Sequence, residues 1–303
     1  MLLDRLQGSL LGLALGDAFG ASFEGGVLER GVWWLIGKTR HGKRRWTDDT
    51  QMSLDLAESL LARKRLDADD LATRFASSYR WSRGYGPAAA RLLKRIRRGE
   101  DWQVANRAIY PEGSFGNGGA MRAPVIGLFY AHRPQTELIE AARLSARITH
   151  AHPQGMEGAV LLAVATAASY RNAASEDILA AGLEVCPEPA FQSRLTIARD
   201  WLEHALAPTP REVARKLGNR VAARDSCVTA IYLALRNRER SFRELLNDVI
   251  RCGGDVDTIG AMAGAIWGAT NGLSQLPEEW LEQLEARERM IQVATDLQEL
   301  VFS

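Results

Sequence analysis

The sequence predicts an all-α fold, a compact orthogonal helical bundle forming a single domain over residues 1–303. Three observations predict it. Apolar residues recur at helical spacing, as in Leu6 and Leu10, in Met52, Leu56 and Leu60, and in Ile259, Met262 and Ile266. Two segments set glycine at every fourth position, Gly8, Gly12, Gly16 and Gly260, Gly264, Gly268, leaving a flat stripe for close backbone approach. Alternation of the kind a half-buried strand needs is confined to two short candidates, WWLI (33–36) and VIGLFY (125–130).

Each element has its own justification. The opening MLLDRLQGSLLGLALGDAFGAS looks like a secretion signal, but Asp4 spoils the positive start, Asp17 falls where cleavage would occur, and the apolar run is too short to span a bilayer. It is therefore read as part of the fold, its apolar stretch a first helix that ends before Asp17. RRWTDDTQMS (44–53) opens the next periodic segment with residues suited to a helix N-cap. GAVLLAVATAAS (158–169) is apolar nearly all round, as a central helix should be. The glycine-striped segments give up about 1 kcal/mol of helix propensity per glycine relative to alanine, so tight packing must compensate. The breaks EVCPEP (184–189), LAPTP (206–210) and NRERS (237–241) are too short to be interdomain linkers, and no repeat of fixed period is present.

Composition narrows the function classes. With 46% hydrophobic and 25% charged residues and a net charge of +1, the chain has neither the profile of disorder nor that of a dedicated nucleic-acid domain. Two local basic runs, KTRHGKRR (38–45) and RLLKRIRRGE (91–100), read as solvated faces or as attractors for a phosphate-rich ligand. Cys186, Cys227 and Cys252 form no CxxC pair and leave an odd thiol, which points to a reduced, cytoplasmic compartment and away from zinc. No membrane association is expected, and a monomer is the expected state.

Chemistry concentrates in two acidic motifs that are near mirror images. Thr47, Asp48 and Asp49 precede one helix; Asp255, Asp257 and Thr258, in GGDVDTIGAMAG (253–264), precede another. Each alone is explained by helix capping. If the two helix starts meet, four carboxylates converge in an apolar setting, and repulsion plus desolvation require a cation. Oxygen-only donors favour magnesium, manganese or calcium, and their number suits a closely spaced magnesium pair.

Three further segments carry candidates. GSFGNGGAMR (113–122) brackets Ser114, Phe115 and Asn117 with glycines before a helix, which lets an anion approach the backbone; it is neither a Walker nor a Rossmann motif. GDAFGASFEGG (16–26), read as a loop after the first apolar helix, offers Asp17 and Glu24 for acid–base work, although chain position favours exposure for both. ITHAHP (148–153) offers His150 and His152.

Taken in order, GDAFGASFEG, WTDDTQMS, RGYG (83–86), GSFGNGGAMR, THAHP and GGDVDTIGAMAGAIWGA resemble the ADP-ribosylglycohydrolase family, the dinitrogenase-reductase-activating type, from about residue 5 to 285. RGYG, GSFGNGGAMR and CVTAIYLALR (227–236) are most similar to its serine and poly(ADP-ribose) branch. The resemblance implies an all-α fold around two magnesium or manganese ions, with hydrolysis of the bond at the anomeric ribose carbon of ADP-ribosylated proteins or metabolites. It implies Thr47, Asp48, Asp49, Asp255, Asp257 and Thr258 as metal ligands, Glu24 as acid/base, and Asp49 beside it in the catalytic set. It implies contact with ADP-ribose at Gly84, Tyr85, Gly86, Gly113, Ser114, Phe115, Asn117, Gly118, Gly119, Met121 and His150. Phe115 stands where that branch usually has tyrosine, keeping a stacking face and losing a hydroxyl. The rival readings are an arginine-linked hydrolase of the same family, an inactive ADP-ribose reader, and a metal-dependent phosphoesterase.

Overall fold

The glycine-striped segments become two long helices that lie against each other at the centre of the molecule. The computed structural model describes residues 1–302, except the side chains of Val27, Leu28, Glu29, Val32 and Trp34. In chain order the helices are α1 (Leu2–Gly20), α2 (Val27–Ile36), α3 (Asp48–Arg63), α4 (Ala68–Ser78), α5 (Pro87–Arg97) and α6 (Trp102–Ile109). There follow α7 (Ala123–Phe129), α8 (Gln135–Arg147), α9 (Pro153–Tyr170), α10 (Ser175–Val185), α11 (Pro189–Glu203) and α12 (Pro210–Lys216). The last are α13 (Cys227–Arg236), α14 (Phe242–Cys252), α15 (Val256–Asn271), α16 (Glu278–Leu281) and α17 (Arg287–Phe302). Both strand candidates are helical: WWLI ends α2, and VIGLFY runs through α7 behind Pro124 in its first turn. A short apolar run cannot by periodicity distinguish a strand from a helix; 125–130 is buried throughout, whereas Leu35 in the other run is 72% exposed. Among the described residues, extended pairing is limited to isolated bridges such as Gly116 with Ala222.

α1 and α15 run antiparallel, with Gly8 facing Gly268, Gly12 facing Gly264 and Gly16 facing Gly260. A Cβ on Gly12 or Gly16 would land on the facing carbonyl, so only glycine allows this approach. Ser9 Oγ crosses the seam to donate to Ala265 O at 2.8 Å. The propensity cost of the stripe is offset by flanking side chains such as Leu11, Leu15, Ile259 and Ile266, all at most 1% exposed and each worth about 1.5–3 kcal/mol on burial. α9 is buried on every side from Gly158 to Tyr170, and one dominant core cluster draws residues from α1 through α17. No helix among the described residues is long and apolar enough to cross a membrane.

Candidate active site and metal centre

The central helix pair ends where the chemistry begins. Gly20, at the end of α1, lies so close to the start of α15 that a Cβ on it would sit 2.7 Å from the Cα of Asp257. One turn earlier, Asp17 is fully buried and accepts from the α3 N-terminus: from Thr47 N (2.9 Å), Thr50 N (3.0 Å) and Thr50 Oγ1 (2.5 Å). The first-turn amides of α3 are thus satisfied by a carboxylate thirty residues away, in the place where a helix dipole favours negative charge. Chain position favours exposure for Asp17; the structure buries it completely, because the apolar helix that carries it is the core of the molecule.

The two acidic helix mouths meet. Carboxylate oxygens of Asp17, Asp49 and Asp257 lie within 4.8 Å of one another, and so do those of Glu24, Asp255 and Asp257. Asp257 belongs to both groups. Asp49 is 2% exposed; its Oδ2 accepts from Thr47 Oγ1 (2.9 Å) and Thr258 Oγ1 (3.4 Å), while its Oδ1 is buried with no hydrogen-bond partner. Thr47 and Thr258 therefore reach the cluster through Asp49. Asp48, half-buried, belongs to neither group and faces the cleft beside Gly84.

Burial and mutual repulsion shift these carboxyls upward. Burial, then the charge of Asp17, pushes Asp48 up to about 8; burial, then Glu24, pushes Asp255 up to about 7. Asp49 and Asp257 are raised well above the usual carboxylate range by burial and their neighbours. Asp17 rises only to about 6, because its hydrogen bonds partly oppose burial. So many buried carboxyls, one with a bare oxygen, fit a divalent cation of the hard, oxygen-preferring kind.

The carboxylates form one end of a cleft of about 550 Å³. Glu24, in extended backbone after the short turn Ala21–Phe23, faces it beside Asp48, Asp49, Asp255, Asp257 and Thr258. Gly84, Gly86 and the first turns of α5 make one wall; Ser114, Gly116, Asn117, Gly118, Met121 and His150 make another. Asn117 donates through Nδ2 to Ser226 Oγ (3.1 Å) and to Asp255 Oδ2, tying the glycine loop to the acidic end. Gly113, at φ +83°, turns the loop where a Cβ would strike the His152 backbone. Gly113, Phe115 and Gly119 stand outside the lining, Phe115 being half exposed and edge-on to His152. Tyr85 is also outside it, buried edge-on against Tyr79 at 5.0 Å.

Sequence reasoning did not single out the support behind His150. Arg122 is fully buried and donates to Gly118 O, Ser145 O (2.8 Å), Ser145 Oγ (3.4 Å) and Thr149 Oγ1 (2.9 Å). The Thr149 hydroxyl, which accepts from Arg122, also holds His150 Nδ1 at 2.7 Å, as donor to the bare nitrogen or as acceptor from its N–H. Burial, helped by the Arg122 charge, lowers His150 to about 3, so the ring is neutral, with Nε2 beside Gly116 in the cleft wall.

The model of the ADP-ribosylglycohydrolase family matches residues 1–302. The chain is 34% identical to ADP-ribosylhydrolase ARH3 of Gallus gallus, covering 98% of this chain and 93% of that protein. It is 29% identical to the ADP-ribosyl-[dinitrogen reductase] glycohydrolase of Rhodospirillum rubrum, covering 97% and 95%. A solved structure described as an ADP-ribosylglycohydrolase-related protein complex superposes with a TM-score of 0.74 at 32% identity over 99% of both chains. The likeness thus extends over nearly the whole helical scaffold, and the chain belongs to the ADP-ribosylglycohydrolase family.

Proposed function

We propose that this protein is a divalent-cation-dependent hydrolase that cleaves the glycosidic bond at the anomeric ribose carbon of ADP-ribosylated substrates and releases ADP-ribose. O-linked substrates, such as serine-linked ADP-ribose, poly(ADP-ribose) or O-acetyl-ADP-ribose, are favoured over arginine-linked ones by the resemblance of RGYG and GSFGNGGAMR to the serine and polymer branch. The observation that carries this reading is Asp257, a buried carboxylate shared by two acidic groups at the end of a nucleotide-sized cleft.

Asp17, Asp49 and Asp257 would hold one cation and Glu24, Asp255 and Asp257 a second, magnesium or manganese in each case. Bound there, such ions polarise ribose hydroxyls and lower the pKa of water. Glu24 is the carboxyl that faces the cleft from a loop; ionised beside the cation, it is assigned proton transfer, taking a proton from the attacking water and passing it to the departing acceptor oxygen. The fixed carboxylates stabilise the oxocarbenium character that develops at the anomeric carbon. Across the cleft, His150 Nε2 and the glycine loop beside it, where no Cβ keeps an anion from the backbone, suit the pyrophosphate. The three buried free thiols suit a reducing, cytoplasmic setting.

The test is a panel of serine-linked, arginine-linked, polymeric and acetylated ADP-ribose, assayed with magnesium or with chelator, beside Asp257→Ala. Intact ADP-ribose released only with metal, and only by the parent, is the expected result. Release of AMP instead would mean attack on the pyrophosphate; binding without any product would mean a reader.

A further inference from the structure

Of the two basic runs, the structure ties down the end of one and leaves most cations of the other without an ion pair among the described residues. In 38–45, Lys43 donates to Glu282 O, Arg44 lies 4.2 Å over the Phe19 ring and bonds Gln283, and Arg45 donates to Ile36 O. That end of the run is spent on holding loops together. Helix α5 is different. It has no acidic residue, and Arg91, Lys94, Arg95 and Arg98 at its end fall at i, i+3, i+4 and i+7, within a stripe about 100° wide. Only Arg95 has an ion pair among the described residues, with Glu100 at 2.6 Å, while Lys94 and Arg97 lie 5.6 and 5.9 Å over the Tyr79 ring with their charges unpaired. Arg91, Lys94, Arg97 and Arg98 are exposed. The opposite face buries Leu92 and Leu93, which fixes the basic stripe outward. In a chain whose net charge is +1, this is a concentrated patch of one sign.

Its position ties it to the site. Pro87, Ala88, Ala89, Arg91, Leu92 and Leu93 belong to the cleft wall, and Gly84, just before the helix, adjoins Asp48. α5 therefore starts beside the carboxylates, passes Arg91 along the cleft, and carries Lys94 and Arg98 away from it. We propose that the exposed face of α5 is a polyanion-binding surface continuous with the cleft, which holds the pyrophosphate-bearing units of a polymeric ADP-ribose chain beyond the unit in the cleft. This deepens the proposed function and rests on it. A single ADP-ribose fills the cleft and does not need the far end of the stripe; a chain with two phosphates per unit meets it with complementary charge.

The experiment compares the parent with Lys94→Glu/Arg98→Glu, neither residue lining the cleft, on two substrates: a peptide carrying one serine-linked ADP-ribose, and long poly(ADP-ribose). Circular dichroism checks that the variant is folded. At low ionic strength kcat/KM on the polymer is expected to fall about tenfold in the variant, with a shallower salt dependence, while the single-unit substrate is unaffected. An unchanged rate on polymer, or an equal fall on both substrates, overturns the proposal. Fluorescence anisotropy with labelled polymer and with single-stranded RNA of equal charge supplies the second readout. Tighter binding of polymer, lost in the variant, supports the surface; RNA bound as tightly overturns it in favour of a general nucleic-acid face. If the parent turns over neither substrate, the proposed function fails, and the anisotropy still decides whether the surface exists.

Discussion

His150 shows how much of a residue's chemistry lies in neighbours that do not touch a ligand. Its Nδ1 is held by Thr149, and Thr149 is held in turn by a fully buried Arg122. Thr149→Val keeps the shape and removes the hydroxyl, so His150 Nδ1 loses its partner and the ring is no longer held in place. The loss of that one neutral hydrogen bond, about 1–1.4 kcal/mol, translates to a KM for ADP-ribosylated substrate raised roughly five- to tenfold with kcat little changed, while the Arg122 bond lost with it lowers stability and leaves Arg122 its bonds to Gly118 O and Ser145 O. Thr149→Ser should restore it. Equal effects on kcat and KM, or no rescue by serine, would mean that the hydroxyl serves packing alone. This support was not legible in the sequence, whereas His150 itself was. Thr149 and Arg122 act through bonds that only the fold creates, and neither residue type at its position signals that role. Asp17 is an intermediate case. A lone carboxylate at the end of an otherwise apolar helix is a signal, but its partner at Thr47 and Thr50 lies too far along the chain for capping rules to connect them.

At the level of elements, the glycine stripes were readable because their spacing has one cheap explanation, and the structure supplies it. Gly264→Ala would drive its Cβ onto the Gly12 carbonyl, which can yield only if α1 and α15 separate. Overpacking of this sort costs about 1–3 kcal/mol or more, to be measured by urea unfolding; Gly31→Ala, on α2 with open space around its Cβ position, is the control expected to be neutral or mildly stabilising. The two short apolar runs were ambiguous for a physical reason, since period and length do not separate a buried turn of helix from a strand. Helix α3 carries a pH effect of its own. Asp55, 4% exposed, is pushed up to about 7 by burial despite hydrogen bonds from Ser78 and Gln51. The folded chain keeps a proton there that the unfolded chain releases near pH 4. The stability this lends is therefore full below about pH 4 and is lost as pH rises through 7, by at most about 4 kcal/mol. Asp55→Asn should remove this slope, gaining on the parent between pH 5 and pH 8 in denaturant titrations. A constant gap between the two proteins at both pH values would refute the assignment.

The molecule as a whole is organised so that a rigid centre holds together charges that repel. α1 and α15 pack backbone to backbone, and their shared end presents Asp17 and Asp257 to the mouth of α3. In the absence of a cation that end opposes folding, since several carboxyls lie buried beside one another and Asp49 Oδ1 has no partner. Cation binding should therefore appear in stability as well as in turnover. At a concentration about a hundredfold above Kd, a single site adds about 2.7 kcal/mol, and each kcal/mol moves the midpoint of a chain this long by about 2 °C, so saturating magnesium or manganese should raise Tm by roughly 5 °C per site over the chelated protein. The sharing of Asp257 gives this a sharper form. Glu24→Gln touches one acidic group only and should retain about half of the metal-dependent rise, whereas Asp257→Ala touches both and should abolish it. The comparison uses only the rise caused by metal, because removing a carboxylate also relieves repulsion and can lift the chelated Tm by itself. If Glu24→Gln and Asp257→Ala lose the same share of the rise, the two groups do not act as two cation sites joined by a common ligand, and the assignment of Glu24 to proton transfer would have to be made without a neighbouring metal.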